Sequence, residues 1–296
     1  MTGKRSTLKG KDTLKGYLFV TPFLISFAVF TLWPLLYCIK LVFFQFNLGG
    51  EMPYIGGKYI IKMFHDEIFL HSWRNTIEFV AINVPLQVGL ALILAVALNQ
   101  KIMGRAFFRA AYFFPVIISG AVTTILWLYL LNRDSGIVNQ ILYAAFRIPP
   151  VGWLTSEHIA LPSLAVHATW KNVGLTIIIL LAGLQNIPRS VYEAAEMDGV
   201  TPWQAFWKIT LPLLNPTFVM VIMLSTMGAF SLFVEPLVMT SYGGPGDASM
   251  SLFLYIYKKF SFWNMNYASV LGLTTALVIL AVIMLQKKFL EKEPYY

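Results

Sequence analysis

Cysteine is nearly absent. Cys38 is the only one, so the chain can form neither an intrachain disulfide nor a thiolate metal cluster. It lies in an apolar run, where a lone thiol acts as a small hydrophobe. Charge is scarce too: charged residues make up 12% of the chain, about half the roughly 25% of a soluble domain. No G-x-x-x-x-G-K-[ST] loop is present, because Gly57-Lys58 runs into Tyr59 without the upstream glycine. ATP hydrolysis by that route is excluded. There is no H-E-x-x-H motif, serine elbow or cysteine–histidine pairing. His65, Asp66, Glu67 and His71 cluster between apolar runs, where they read as a hydrated loop, and no metal ligand is assigned. An intramembrane enzyme would need several polar residues converging at membrane depth, and few are present. No internal repeat or low-complexity segment stands out.

Apolar residues are abundant instead, at 57% against about 45–50% in soluble domains. Six stretches reach the length of about 20 residues that crosses a bilayer. They are Tyr17–Ile39, Thr76–Leu98, Ala110–Leu131, Ile159–Leu184, Pro212–Thr240 and Tyr267–Leu285. The first is too long for a signal peptide and ends on bulky Trp33-Pro34, so it reads as an uncleaved span. The third is broken by nothing worse than Pro115, and the fifth contains Pro236. Neighbouring helices can satisfy the carbonyl that a proline frees.

The net charge of +8 comes from Lys and Arg placed beside the apolar runs, a topology signal that argues against nucleic acid as a partner. Lys4, Arg5, Lys9, Lys11 and Lys15 precede the first span; Lys101, Arg105 and Arg109 follow the second; Lys287, Lys288 and Lys292 follow the sixth. The intervening loops are longer and carry only scattered bases, such as Lys58, Lys62, Arg133, Arg147, Lys258 and Lys259. Both termini are therefore expected in the cytoplasm. This divides the chain into a basic tail over 1–16, a six-helix membrane domain over 17–285 and a second cytoplasmic tail over 286–296. The loop 185–211 falls on the same side.

Within that loop, local rules predict two short helices meeting at a glycine. Ser190 with Glu193 has the spacing of a capping box, Val191 to Asp198 forms a helix body, and Gly199 stands where a left-handed cap is needed. Thr201 with Gln204 makes a second box, and Pro202 suits the first helical turn. That helix is expected to run to about Thr210, with Pro212 opening the fifth span.

The stretch Glu193-Ala194-Ala195-x-x-Asp198-Gly199, followed by Phe206, Ile209, Leu211-Pro212 and Pro216, resembles the EAA loop of ABC importer permeases of the carbohydrate type, that of the maltose permeases. Val200 stands in place of the commoner alanine. The resemblance covers nearly the whole chain: YLFVTPFLISFAVFTLWPL is similar to the family's first span, RAFFRAAYFFPVIIS to the entry of its third, the run from Asn132 through Gly136 to Asn139 to its next outer loop, and TSYGGPGDAS to its T-G-G-G-P turn, apart from Ser241-Tyr242.

The resemblance implies an all-α polytopic membrane protein with six transmembrane helices and a cytoplasmic coupling loop between the fourth and fifth. It implies a non-catalytic permease subunit in a bacterial or archaeal inner membrane, moving a sugar, oligosaccharide or related polyol by alternating access. Expected partners are a second, related permease subunit in a heterodimer, two copies of a cytoplasmic ATPase, an extracytoplasmic solute-binding protein and membrane lipid. ATP and Mg would bind the ATPase, leaving no cofactor here. Glu193, Ala194, Ala195, Asp198 and Gly199 match the motif that docks on the ATPase, the glycine giving the turn, the alanines close approach and Glu193 a cap or polar contact. An ion-gradient-driven secondary carrier is the alternative.

For the substrate path, charges in spans are informative, because each costs roughly 2.5–3.5 kcal/mol at mid-membrane and so faces a cavity or a partner. Glu235 shares a helical face with Gly228 and Ser231, and Pro236 frees the carbonyl of Leu232. Trp170, Lys171 and Asn172 form a second cluster. The bland alternatives are span-to-span packing and a Lys171–Glu235 ion pair.

Overall fold

A computed structural model describes residues 10–100 and 103–291. Lys4, Arg5, Lys9, Lys101 and Lys292, counted above for orientation, lie outside that range. Among the described residues the chain is helical, with a single isolated bridge between Phe44 and Tyr54. Five helices are long and apolar enough to cross a membrane, or six if one bent pair counts as one span.

The first span joins α1 (Gly10–Phe27) to α2 (Trp33–Phe43) through a π turn over Ala28–Leu32. Pro34 follows that turn by two residues, and its missing N–H explains the local widening of the ladder. After short α3 (Lys58–Phe64), α4 (Glu67–Asn99) begins at Asp66, whose carboxylate accepts from the Ile68 and Phe69 amides. Its 33 residues span about 50 Å at 1.5 Å per residue, more than a bilayer core of roughly 30 Å requires.

The third span differs from expectation. It is two helices, α5 (Arg105–Ile117) and α6 (Gly120–Leu130), bent by 99°. Pro115 lies inside α5, and the break comes after it, where Ile118 and Ser119 turn extended. Pro115 leaves the Ala111 carbonyl without its usual donor, which weakens the last turn of α5. Beyond α7 (Ile137–Phe146), α8 (Ala160–Gln185) forms the centre of the bundle and packs on α4, α5 and α11. Of its most apolar stretch, 61% is buried, whereas the first span buries none of its own.

The fifth span corrects two expectations. The loop helix does not stop near Thr210: α10 (Pro202–Ala205) passes through a π turn over Phe206–Thr210 into α11 (Leu211–Phe230). Pro212 follows this π turn by two residues, as Pro34 follows the first, so the helix widens instead of ending. The span then breaks over Ser231–Phe233 before α12 (Val234–Val238). The freed Leu232 carbonyl accepts from the Ser251 hydroxyl at 2.5 Å. The last helices of the described residues are α13 (Leu252–Ser261) and α14 (Met265–Leu290). The Asn266 amide donates to the Leu41 and Phe44 carbonyls, tying the sixth span to the first.

One core cluster fills the space between α4, α8 and α11; a second joins α3, α13 and α14. The ends of the bundle are distinct. At one, Asp66 accepts from the hydroxyls of Tyr255 and Tyr267. At the other, the Asn215 amide donates to the Leu290 carbonyl, and the last turns of α4 and α8 meet the 185–211 loop.

Candidate functional site: a helical turn and a polar cavity

The loop contains α9 (Arg189–Met197), which starts at Pro188, so Ser190 lies inside the helix and the Ser190–Glu193 box does not form. Glu193 instead faces Arg189 at 3.2 Å, an exposed pair worth little. The C-terminal stop follows the expected chemistry. Gly199 has φ +74°, its amide reaches the Glu196 carbonyl at 3.0 Å, and the Val200 amide reaches Ala195 at 3.0 Å. This pairing is the Schellman arrangement. Thr201 and Gln204 form the reciprocal box at 3.3 and 3.1 Å. The Tyr192 and Thr210 hydroxyls, 2.9 Å apart, fasten α9 to the π turn.

These bonds divide the motif into two faces. Glu193, Ala194, Asp198 and Gly199 are exposed, but Ala195 is only 7% exposed and packs inward. Ala195 therefore serves the chain's own packing, and Ala194 is the small residue left on the exposed face. Sequence reasoning missed the apolar groups beside them: Met197 is 90% exposed and Trp203 70%.

At mid-bundle, α4, α8, α11 and α12 line a cavity of about 220 Å³ that is open on one side. Gly228, Ser231 and Glu235 line it together with Asn172, so parts of both sequence clusters face the same cavity. Trp170 and Lys171 do not line it. The Trp170 ring packs on Trp127 at 5.6 Å, and the Lys171 ammonium lies beside Gly120, where α6 begins. The alternative Lys171–Glu235 pair is not formed within 4 Å among the described residues; Glu235 is 3.7 Å from His167 instead. The reason is register, since α12 meets α8 at His167, one turn before Lys171. His167 is fully buried, with both ring nitrogens unbonded.

The cavity also holds polar side chains that sequence reasoning overlooked: Asn83, Gln87, Thr176 and Ser225. A signal existed for the first two. Asn83 and Gln87 are amides four residues apart in an otherwise apolar run, hence on one helix face.

Beyond the cavity, Ser241 and Tyr242 take positive φ ahead of Gly243 and Gly244, and the Thr240 and Ser249 hydroxyls close the turn at 2.6 Å. A wider space of about 600 Å³ opens there between this turn, Asn132–Asp134 and Trp153–Thr155.

A bundle of bent spans around a polar cavity, with a helical turn projecting at one end, defines a multi-pass membrane permease. Residues 16–292 match the family described as "Binding-protein-dependent transport system inner membrane component", and the chain belongs to that family. Its members are non-catalytic transport subunits of ABC importers. Over 290 residues the chain is 34% identical to the lactose transport system permease protein LacF of Rhizobium radiobacter, covering 96% of this chain and 97% of the other. It is 32% identical to the arabinooligosaccharides transport system permease protein AraP of Bacillus subtilis, with 92% and 87% covered. In fold it is similar to a chain of a bacterial ABC transporter involved in import of the acidic polysaccharide alginate (TM-score 0.80, 23% identity, 94% and 95% covered).

Proposed function

We propose that this chain is one permease half of an importer for a sugar, oligosaccharide or related polyol, working by alternating access with ATP hydrolysed by partner subunits. One observation carries the reading: the fifth span joins the loop to the cavity. The helix that starts at Pro202 in the loop runs through the π turn to Phe230 and carries Ser225 and Gly228 into the cavity wall. A push on the loop therefore has a helical path of about 40 Å to the site.

In this reading Glu193, Ala194, Asp198 and Gly199 present the loop to the ATPase, with Ala195 supporting them from beneath. Glu235, Ser231, Gly228 and Asn172 contact the cargo, while Trp170 and Lys171 back the wall. A second permease subunit covers the open side of the cavity, two ATPase copies bind at the loop end, and a solute-binding protein delivers cargo to the other end. The tails over 1–16 and 286–296 and the loop 185–211 lie in the cytoplasm, a placement that the distribution of basic residues supports.

Glu235→Gln tests the reading in the reconstituted importer. Uptake should fall several-fold while the ATPase still co-purifies, because the substitution removes a charge from the cavity without touching the loop. Unchanged uptake kinetics would remove Glu235 from the path. Uptake abolished by collapsing ion gradients, with ATP still supplied, would favour a secondary carrier.

A further inference from the structure

The hydrogen-bonding sense of the cavity wall points to the kind of cargo it takes. Asn83 spends both amide N–H bonds on the protein, donating to the Ala165 carbonyl at 3.2 Å and the Thr169 hydroxyl at 3.0 Å. Gln87 does the same, donating to Thr176 at 2.9 Å and Ser225 at 3.3 Å. The Asn172 amide donates to the Ala168 carbonyl at 2.9 Å. The hydroxyls of Thr176 and Ser231 donate to the carbonyls of Asn172 and Met227. A carbonyl can only accept, so its pairing fixes which end of each asparagine amide is nitrogen. Thr176 donates to a carbonyl and so accepts from Gln87, which fixes the third amide.

Few donors remain for a ligand: one N–H of Asn172 and the hydroxyl proton of Ser225. Acceptors remain in excess, namely the amide oxygens of Asn83, Gln87 and Asn172. An anionic oxygen entering this space would lose its water and find almost nothing to replace it. A hydroxyl would find an acceptor on each wall.

We propose that the cavity selects an uncharged polyhydroxyl cargo through its acceptors and rejects phosphate- and carboxylate-bearing analogues. Asn83 and Gln87 are the specificity-determining residues, with Thr169, Thr176 and Ser225 holding their amides in the required sense. The inference rests on the permease reading above and narrows its cargo to neutral saccharides.

The test uses thiol reactivity, which needs no knowledge of the particular sugar. A β-carbon at Gly228 meets nothing within 4 Å, so Gly228→Cys is introduced in a Cys38→Ser chain, with Ser231→Cys as an independent second site. The assembled importer is treated with uncharged hydroxyethyl, anionic sulfonatoethyl and cationic trimethylammonium-ethyl methanethiosulfonates, and each rate is divided by its rate with a free thiol. The uncharged reagent should react about ten-fold faster than the sulfonate, with the cation within several-fold of the uncharged reagent. A sulfonate rate equal to the uncharged one at both sites overturns the proposal. A cation rate more than about ten-fold above the uncharged one overturns it in favour of a cationic cargo. Trapping with ATP and vanadate separately tests the permease reading: absolute rates should change, and rates that do not respond reject that reading whatever the ratio between reagents.

Discussion

At Gly174, in the middle of α8, a β-carbon would stand 2.0 Å from the Tyr112 carbonyl oxygen, whereas at Gly199 nothing lies within 4 Å. Gly174 is there for contact: it lets the backbone of α5 come against α8 beside the bend into α6. Gly199 is there for conformation, because its φ of +74° closes α9. The two glycines separate two kinds of construction. The wall of the cavity depends on fits between distant segments, and the projecting turn depends on rules that act within a few residues.

Gly174→Leu should produce the largest effect. The side chain meets backbone, which cannot rotate aside, so α5 and α8 must part. Overpacking costs about 1–3 kcal/mol where side chains can yield, and here the obstacle is a main-chain carbonyl. The amount of folded, membrane-inserted subunit should drop several-fold. Wild-type amounts would show that α5 is not held against α8.

Gly199→Val should leave the inserted amount unchanged and abolish most uptake. A β-branched residue at positive φ costs roughly 1–2 kcal/mol, too little to undo a bundle packed elsewhere. It is enough to mis-aim α9, whose last two bonds depend on that φ. Co-purified ATPase and uptake, measured on the same preparation as Gly174→Leu, distinguish the cases. Full uptake in Gly199→Val would end the coupling role for the turn.

The same division explains what could be read beforehand. Gly199 and the Thr201–Gln204 box were legible because cap chemistry is local. The capping box at Ser190 misled because Pro188, two residues upstream, opens the helix first. The helix end expected near Thr210 also failed, because a π turn absorbs Pro212. The cavity was half legible. Glu235, Ser231 and Gly228 share a helical face that periodicity reveals, but nothing local tells that Asn83 and Gln87 on α4 face them. Nor could spacing show that Glu235 lies beside His167 and not Lys171, since that depends on how α12 docks on α8. Pro115 marked where the third span weakens, but the close approach of α5 to α8 at Gly174, more than fifty residues away, was not legible locally.

Asp66 combines both kinds of construction, capping α4 locally and accepting from Tyr255 and Tyr267 at long range. Burial pushes its carboxyl up, but the two tyrosine hydroxyls, the Phe69 amide and the Lys259 charge outweigh it and hold it below the usual carboxylate range. Burial and the adjacent Asp66 push the Tyr255 hydroxyl up, so it stays a donor at neutral pH. A carboxyl depressed in the folded state adds stability above its unfolded value of about 3.9 and loses it as pH falls through the lower folded value. Thermal unfolding of the solubilised importer should show this contribution intact at neutral pH and fading below about pH 4. Asp66→Asn should remove the acid-dependent part and lower stability by about 1–3 kcal/mol, because the tyrosines lose a charged acceptor. An unchanged acid limb would assign the pH response to other carboxyls.

The smallest expected effect sharpens the comparison most, because it sets two helix starts against each other within one loop. Thr201 accepts from the Gln204 amide, and Gln204 reaches back to the Thr201 amide. Thr201→Ala therefore leaves a helix-end donor without its partner and should cost about 0.5–2 kcal/mol of local stability. Ser190 has the same spacing to Glu193 but lies inside α9, where no cap bond forms. Ser190→Ala should cost nothing measurable and can gain slightly, since alanine is the better helix former by a few tenths of a kcal/mol. Amide hydrogen exchange on the two variants reads the difference directly. Exchange at Gln204 and Ala205 should quicken several-fold in Thr201→Ala, and exchange across Glu193–Met197 should stay the same in Ser190→Ala. Transport should follow only the first, because α10 is the part of the loop that continues into the cavity wall. Equal loosening in both variants would mean that α9 starts at Ser190 after all, with Pro188 outside the helix cap.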